Sequence, residues 1–192
     1  MIEQAMEIAY PIETARLVLR PFHDGDLDAL ARTLVREDVN RFLYSLPRTR
    51  EEVQASLVER QNRTVLRARG DSLLLAIELR SSGELAGDVL LQWLDSDHLQ
   101  GEIGFVLHPD FHGRGIAAEA SLEMLRVGFE RAGLHRVIGR CDARNLASAR
   151  VLRKLGMREE GLLRENELVK GEWTDELVFA MLADEWAARS AG

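Results

Sequence analysis

Gly104-Phe-Val-Leu-His-Pro-Asp-Phe-His-Gly-Arg-Gly-Ile-Ala-Ala-Glu-Ala120 is the stretch on which the reading of the chain turns. Its first residues finish an apolar strand, and a Pro-marked polar loop runs from His108 to His112. A glycine pair, Gly113 and Gly115, then opens a long helix. Glycines let backbone N–H groups approach a ligand, and the positive end of the helix dipole faces the same point. Such a layout cradles an anionic group, phosphate above all.

Downstream, Glu119, Glu123, Arg126 and Glu130 fall at steps of four, three and four, a single polar stripe. Nearly everything else to Ala132 is apolar or small, so the helix is buried over most of its circumference. Gly133 is its expected C′ residue. Arg136 to Cys141 reads as a strand. A whole helix separates it from the strand ending at Leu107, which predicts a parallel pair in a right-handed crossover. Upstream, Leu73–Leu79, Leu85–Leu94 and Glu102–Leu107 are strands joined by the short turns Ser81–Glu84 and Asp95–His98, an antiparallel meander.

The ends complete the order. Residues 1–12 lack a period and are expected to be a loosely ordered lead-in. Arg16–Phe22 alternates like a strand. Asp24 or Asp26 is expected to cap a helix to about residue 36, and Thr49 with Glu52 marks a capping box opening a second, over roughly 49–68. That helix is rich in Arg and Gln, which predicts one wet face. After Cys141, Asn145 caps a further helix with Ala149, Leu152 and Leu155 inward and Gly156 at its end. Two last strands, about 160–169 and 175–183, meet across Lys170-Gly171. No repeat or linker interrupts residues 1–192. The fold class is α+β: one domain with a central mixed, mostly antiparallel sheet flanked by helices.

The totals exclude several classes. With 192 residues, 46% of them apolar, the chain has ample core for one domain. A net charge of -7 argues against binding nucleic acid by general attraction and leans weakly toward cationic substrates. The single cysteine, Cys141, on a buried strand, forms no internal disulfide and fits a reducing compartment. The N-terminus carries acids where a signal peptide has basic residues, and no stretch approaches a membrane span. The expectation is a cytoplasmic protein with neither nucleic acid nor membrane as partner; a second copy of the chain, as a homodimer, is carried as a candidate partner. The five histidines lie at loops and element ends without metal-ligand spacing, so no metal is expected.

Gly113-Arg-Gly-Ile-Ala-Ala118 satisfies the dinucleotide fingerprint, but its setting does not. That motif sits in the first tight turn of a parallel βαβ unit with an acid about 20 residues later. Here a meander precedes it, and after Glu130 the next acid is Asp142. No Gly-Lys-Ser/Thr follows either. A turn that uses glycine only for close packing is the plain alternative.

The order of elements, with His112-Gly-Arg-Gly-Ile-Ala117, resembles motif A of the GCN5-related N-acetyltransferases, in which the first position prefers Gln or Arg. Asn145-Leu-Ala-Ser-Ala-Arg-Val-Leu-Arg-Lys-Leu-Gly156, Gly171-Glu-Trp-Thr-Asp-Glu-Leu177, Glu102–Leu107 and Thr14-Ala-Arg-Leu-Val-Leu-Arg-Pro21 resemble its RimJ/RimL-like branch. The similarity spans about residues 14–184. It implies a sheet splayed into a V between two parallel strands. It implies acetyl-CoA as cosubstrate, its pyrophosphate held by the backbone of His112, Gly113, Arg114, Gly115, Ile116, Ala117 and Ala118. It also implies a pantetheine arm laid along Phe105, Val106 and Leu107 and gripped by Asn145. The acceptor is then an amine, a protein N-terminus or a small molecule.

The chemistry needs a neutral amine and a proton for the departing thiolate. Glu102, opening the strand that lines the acceptor cleft, is the candidate base; a solvated strand-end acid is its plain alternative. The tyrosine that many members carry seven residues after the Asn is Leu152 here. The RimJ/RimL-like resemblance implies a hydroxyl three after the Asn, which makes Ser148 the candidate proton donor, with a packing or back-bonding serine as its plain alternative. Arg150, Arg153 and Lys154 form a basic patch that reads first as a solvated helix face, with one of them a candidate for the coenzyme's 3′-phosphate. Trp93 and Trp173 are candidates for lining the acceptor pocket or for the core. Two rival readings stand beside the enzyme: a non-catalytic acyl-CoA sensor module and a nicotinamide-dependent dehydrogenase.

Overall fold

Leucine-rich strands with both faces covered occupy the middle of the sheet, and the helices divide between its two sides. A computed structural model of the chain describes residues 8–190. In chain order it contains β1 (Ile12–Glu13), β2 (Leu17–Arg20), α1 (Leu27–Leu34), α2 (Glu37–Asn40), α3 (Arg50–Gln61), β3 (Thr64–Val65), β4 (Ser72–Leu79) and β5 (Leu85–Asp95). These are followed by β6 (Gln100–Leu107), α4 (Ile116–Arg126), β7 (Arg136–Asp142), α5 (Leu146–Lys154), β8 (Arg158–Val169), β9 (Glu172–Leu182) and α6 (Ala183–Ser190). The strands form one sheet in the order β1-β2-β4-β5-β6-β7-β9-β8, with β3 against β4. Every pairing is antiparallel except β6 with β7, the pair joined through α4. The expected α+β class with a mixed, mostly antiparallel sheet is the observed one.

On one side, α4, α5 and α6 cover the larger core, which includes Leu75, Leu91, Ile103, Met124, Leu125, Val137, Leu152 and Phe179. On the other, α1 and α3 close a smaller core of Phe22, Leu30, Leu34, Val53, Leu57, Leu74 and Ala76. The second core contains a charge: Arg60 of α3 donates to Asp88 of β5 at 2.7 Å and lies over the Phe22 ring. The helix expected to have a wet face therefore turns one of its arginines inward, which the alternation of polar and apolar residues does not reveal.

Several boundaries differ from the sequence reading. The helix expected over 49–68 opens on the expected Thr49–Glu52 capping box but stops at Gln61, because residues 64–65 pair with β4. The helix expected to 36 is a 3₁₀ turn over Asp24–Asp26 followed by α1, and α2 was not foreseen. The helix from Ile116 keeps α geometry to Arg126 and ends in a π turn over Val127–Arg131 before Gly133, whose φ is +64°. Gly128 lies in that turn; a Cβ there would meet Leu134 at 3.2 Å and Leu91 at 3.4 Å.

Helix α6 was also unforeseen: two turns with Glu185 accepting from the Leu182 N–H, and Trp186 stacked on Phe129 of the π turn. Of the expected lead-in, residues 1–7 lie outside the described residues, whereas Ile8 is buried in the core and Ile12–Glu13 is a strand. Among the described residues no helix is long and apolar enough to cross a membrane.

Strand β8 ends the sheet. It carries six charged residues among its twelve and breaks register with β9 between Glu159 and Gly161 and between Leu163 and Glu167.

Candidate active site

The loop between β6 and α4 is built to present backbone amides. Pro109–Phe111 make one 3₁₀ turn, and the His112 ring nitrogen Nε2 lies 3.1 Å from the Leu107 carbonyl, tying the end of the loop to the end of β6. His112 thus contributes its side chain to the shape of the loop, although it departs from the Gln or Arg of the resembling motif. Gly113 and Gly115 have φ of +71° and +77°, a region where a side chain is strained. The first bond into α4 runs from the Glu119 N–H to the Gly115 carbonyl, so the amides of Ile116, Ala117 and Ala118 have no partner within the helix. His112, Gly113 and Arg114 are exposed. Two cations flank the glycines: a Cβ at Gly115 would lie 3.5 Å from Arg16 Nη2 and 3.7 Å from Lys154 Nζ. Of the basic patch on α5, Lys154 is the member that reaches the cradle.

Arg16 is held in place. It donates to the Arg114 carbonyl at 2.9 Å and pairs with Glu119 at 2.6 Å, while the Thr14 hydroxyl donates to the same carboxylate at 2.6 Å. Burial pushes Glu119 up, but the bonds from Thr14 and Arg16 outweigh it and hold the carboxyl below its usual range. The first residue of the expected polar stripe is therefore the rear brace of the loop.

Beside the loop the sheet opens. β6 and β7 pair only at Gln100–Glu102 with Arg136–Ile138. Beyond that point β7 stays paired to β9 through Asp142, and the β6 edge from Ile103 to Leu107 faces no strand among the described residues. Phe105, Val106 and Leu107 thus offer backbone to an extended ligand. Gly139 lies at the parting; a Cβ on it would come within 2.6 Å of Leu152 and 3.5 Å of Ile103. Leu152 is consequently a buried core residue packed onto β7, not a vacant tyrosine position. Asn145 caps α5 by accepting from the Ser148 N–H at 3.1 Å, which leaves its amide NH₂ available. The Ser148 hydroxyl, half-buried in the first turn of α5, makes no hydrogen bond among the described residues.

At the parting, on the face away from α4, the candidate base has company. Both Glu102 oxygens are held by Arg140, Nε to Oε1 at 2.9 Å and Nη2 to Oε2 at 3.0 Å. The bond to Glu102 leads the forces that push Arg140 above the usual guanidinium range. Arg140 Nη1 also lies 3.5 Å from Glu176 of β9, which accepts from Asn166 at 3.0 Å and from the Tyr44 hydroxyl. Burial, then the bond to Glu176, raises the Tyr44 phenol well above its ordinary value.

Arg16, Arg140, Glu176 and Tyr44 were not singled out from the sequence. Tyr44 and Glu176 are 132 positions apart, and no local pattern links them. Arg140 was legible in part, since alternation along β7 places it opposite the core-facing Gly139 and Cys141.

Other candidates resolve as structure. Cys141 is buried, and burial pushes its thiol up to about 11, the opposite of an activated nucleophile. Trp93 is core, with its N–H donated to the Asp95 carbonyl, and Trp173 is exposed.

The geometry has counterparts among known proteins. The family model described as "Acetyltransferase (GNAT) domain" matches residues 16–158. "Uncharacterized N-acetyltransferase YnaD" of Bacillus subtilis (strain 168) is 31% identical, over 91% of this chain and 98% of that protein. "Uncharacterized N-acetyltransferase YoaA" of the same organism is 30% identical, over 90% and 97%. Among solved structures, an acetyltransferase (GNAT family) from Bacillus anthracis superposes with a TM-score of 0.83 at 28% identity, covering 91% of this chain and 99% of its own. With a matching family model over most of its length, relatives aligned end to end and the splayed sheet, this chain belongs to the GNAT acetyltransferase family.

Proposed function

We propose that the protein transfers the acetyl group of acetyl-CoA to a primary amine by direct attack of the amine on the thioester. One observation carries this reading: a cradle of unpaired amides opens onto an unpaired β6 edge at the only parallel pairing among the described strands. The residues fit the group. The amides of Ile116, Ala117 and Ala118, the glycines before them, and the cations of Arg16 and Lys154 would hold the pyrophosphate. Phe105 to Leu107 would pair with the pantetheine as an added strand, and the Asn145 amide would donate to it. When bound, acetyl-CoA supplies an activated acyl group.

The chain's own residues do the rest. An ammonium has no lone pair, so the amine must surrender a proton, and Glu102 at the parting receives it directly or through water. The Ser148 hydroxyl, which makes no hydrogen bond among the described residues, hydrogen-bonds to the sulfur as it leaves, and the proton lost from the nitrogen on attack completes the thiol. The acceptor is a protein N-terminus, as the RimJ/RimL resemblance suggests, or a small-molecule amine; the net negative charge of two carboxylates, Glu102 and Glu176, sharing one guanidinium favours one that arrives as a cation.

The test measures release of free coenzyme A thiol over a panel of alanine- and serine-initiated peptides and polyamines. Release that depends on one class of amine supports the reading. Saturable acetyl-CoA binding without release above background, for every amine, would leave the non-catalytic module instead. Stabilisation by NAD in a melting experiment, without stabilisation by acetyl-CoA, would favour the dehydrogenase.

A further inference from the structure

Glu176 has 1% of its surface exposed, and both its oxygens are engaged. Tyr44 donates to one; Asn166 donates to the other, which also faces Arg140. The opposite edge of the same guanidinium grips Glu102. One cation thus stands between two carboxylates where β6 and β7 part. Arg140 is exposed, so solvent screens its pairs with Glu102 and Glu176, and they are a poor source of net stability. The geometry of this cluster is better suited to fixing a side chain than to holding the fold.

We propose that Glu176 is a positioning residue for the acetyl transfer: from β9 it draws on Arg140, and so sets how firmly that guanidinium grips Glu102, with Tyr44 moderating the draw. This rests on the reading of Glu102 as the base. A carboxylate with both oxygens held by one guanidinium accepts a proton less readily than one held more loosely. A second anion behind the guanidinium divides its field and leaves Glu102 better able to accept. Tyr44 donates to that second anion from the segment between α2 and α3, so it weakens the draw and returns part of the field to Glu102. Facing this cluster are Arg140 of β7, Glu176 of β9, Tyr44, and Glu167 of β8, which acts on Tyr44. Gln92, opposite Glu102 on β5, is uncharged.

The two partners of the cluster therefore make opposite predictions. Glu176→Gln removes the second anion: kcat should fall roughly tenfold, and the acid limb of kcat/KM for the best amine of the panel should move down by about half a pH unit or more. Tyr44→Phe leaves Glu176 freer to draw on Arg140, and the limb should move up by a smaller amount. KM for acetyl-CoA should hold in both. A Glu176→Gln protein whose kcat and melting temperature fall while the limb stays at the wild-type pH overturns the inference. Should Glu176→Gln not fold, Tyr44→Phe decides, since the residue is 55% exposed and an unmoved limb overturns the inference equally. Glu102→Gln, run alongside, separates the two readings. If it keeps wild-type rates, Glu102 is not the base and the inference falls with it. If it is impaired while neither limb moves, only the inference falls.

Discussion

The two ends of the β6–β7 pair differ in what holds them. At the closed end three residue pairs are in parallel register, and Gly101 lets β6 lie close against its neighbours: a Cβ there would meet Leu134 at 2.7 Å and the Gln92 carbonyl at 3.0 Å. At the open end no described strand faces β6 on its β7 side, and contact there is replaced by His112 on Leu107, Arg16 on Arg114, and the amides that begin α4. The closed end is fixed by steric fit. The open end is fixed by hydrogen bonds and charge.

Substitutions can break this contrast from either side. The largest effect is expected at Gly115. A bulky residue such as Val would be strained at φ +77° and would occupy the space between Arg16 and Lys154; acetyl-CoA affinity measured by calorimetry should fall by about 100-fold or more. Fluorescence-monitored melting should show a protein that still folds, with the transition lowered only by that local strain. Next is Glu102→Gln, expected to lower kcat by about 100-fold at neutral pH with acetyl-CoA affinity near wild type, read by steady-state kinetics. At the vertex, Gly139→Val should instead act through packing. Its Cβ would press on Leu152 of α5, costing about 1–3 kcal/mol in chemical denaturation and loosening Asn145 at the start of the same helix.

The smallest effect is expected at the rear brace. Because Glu119 is held below its usual range when folded, its contribution to stability is present above the unfolded carboxyl value. That contribution is lost as pH falls through the lower folded one. Arg16 is largely exposed, so after screening the contribution is below about 1 kcal/mol. Glu119→Gln should therefore lower stability slightly at pH 7, and the difference should shrink as pH falls below the usual carboxyl range, in paired denaturation curves.

What was legible in the sequence follows the same contrast. The cradle was readable because strand, loop, glycines and helix are contiguous, and the parallel pair because a helix intervenes between its strands. The cap of α5 by Asn145 was readable for the same reason of proximity. The vertex was not: Glu102 was visible as a strand-end acid, but its grip by Arg140, and the draw of Glu176 and Tyr44 behind that, depend on four separate segments meeting. Arg60 escaped notice because its partner Asp88 lies in another element, and the Val127–Arg131 π turn because its residues suit an α-helix equally well. Local chemistry is written locally; charge pairs across a sheet are not.

Strand β8 has a consequence beyond the site. A twelve-residue strand ending a sheet is a template on which another chain can add by backbone pairing. Here half its positions are charged, and two breaks in register bend it against its neighbour. Those features make the edge a poor docking line for unrelated strands. Neutralising Arg158, Glu160 and Arg164 together should make the edge a better template for a second strand, read as increased light scattering on concentration.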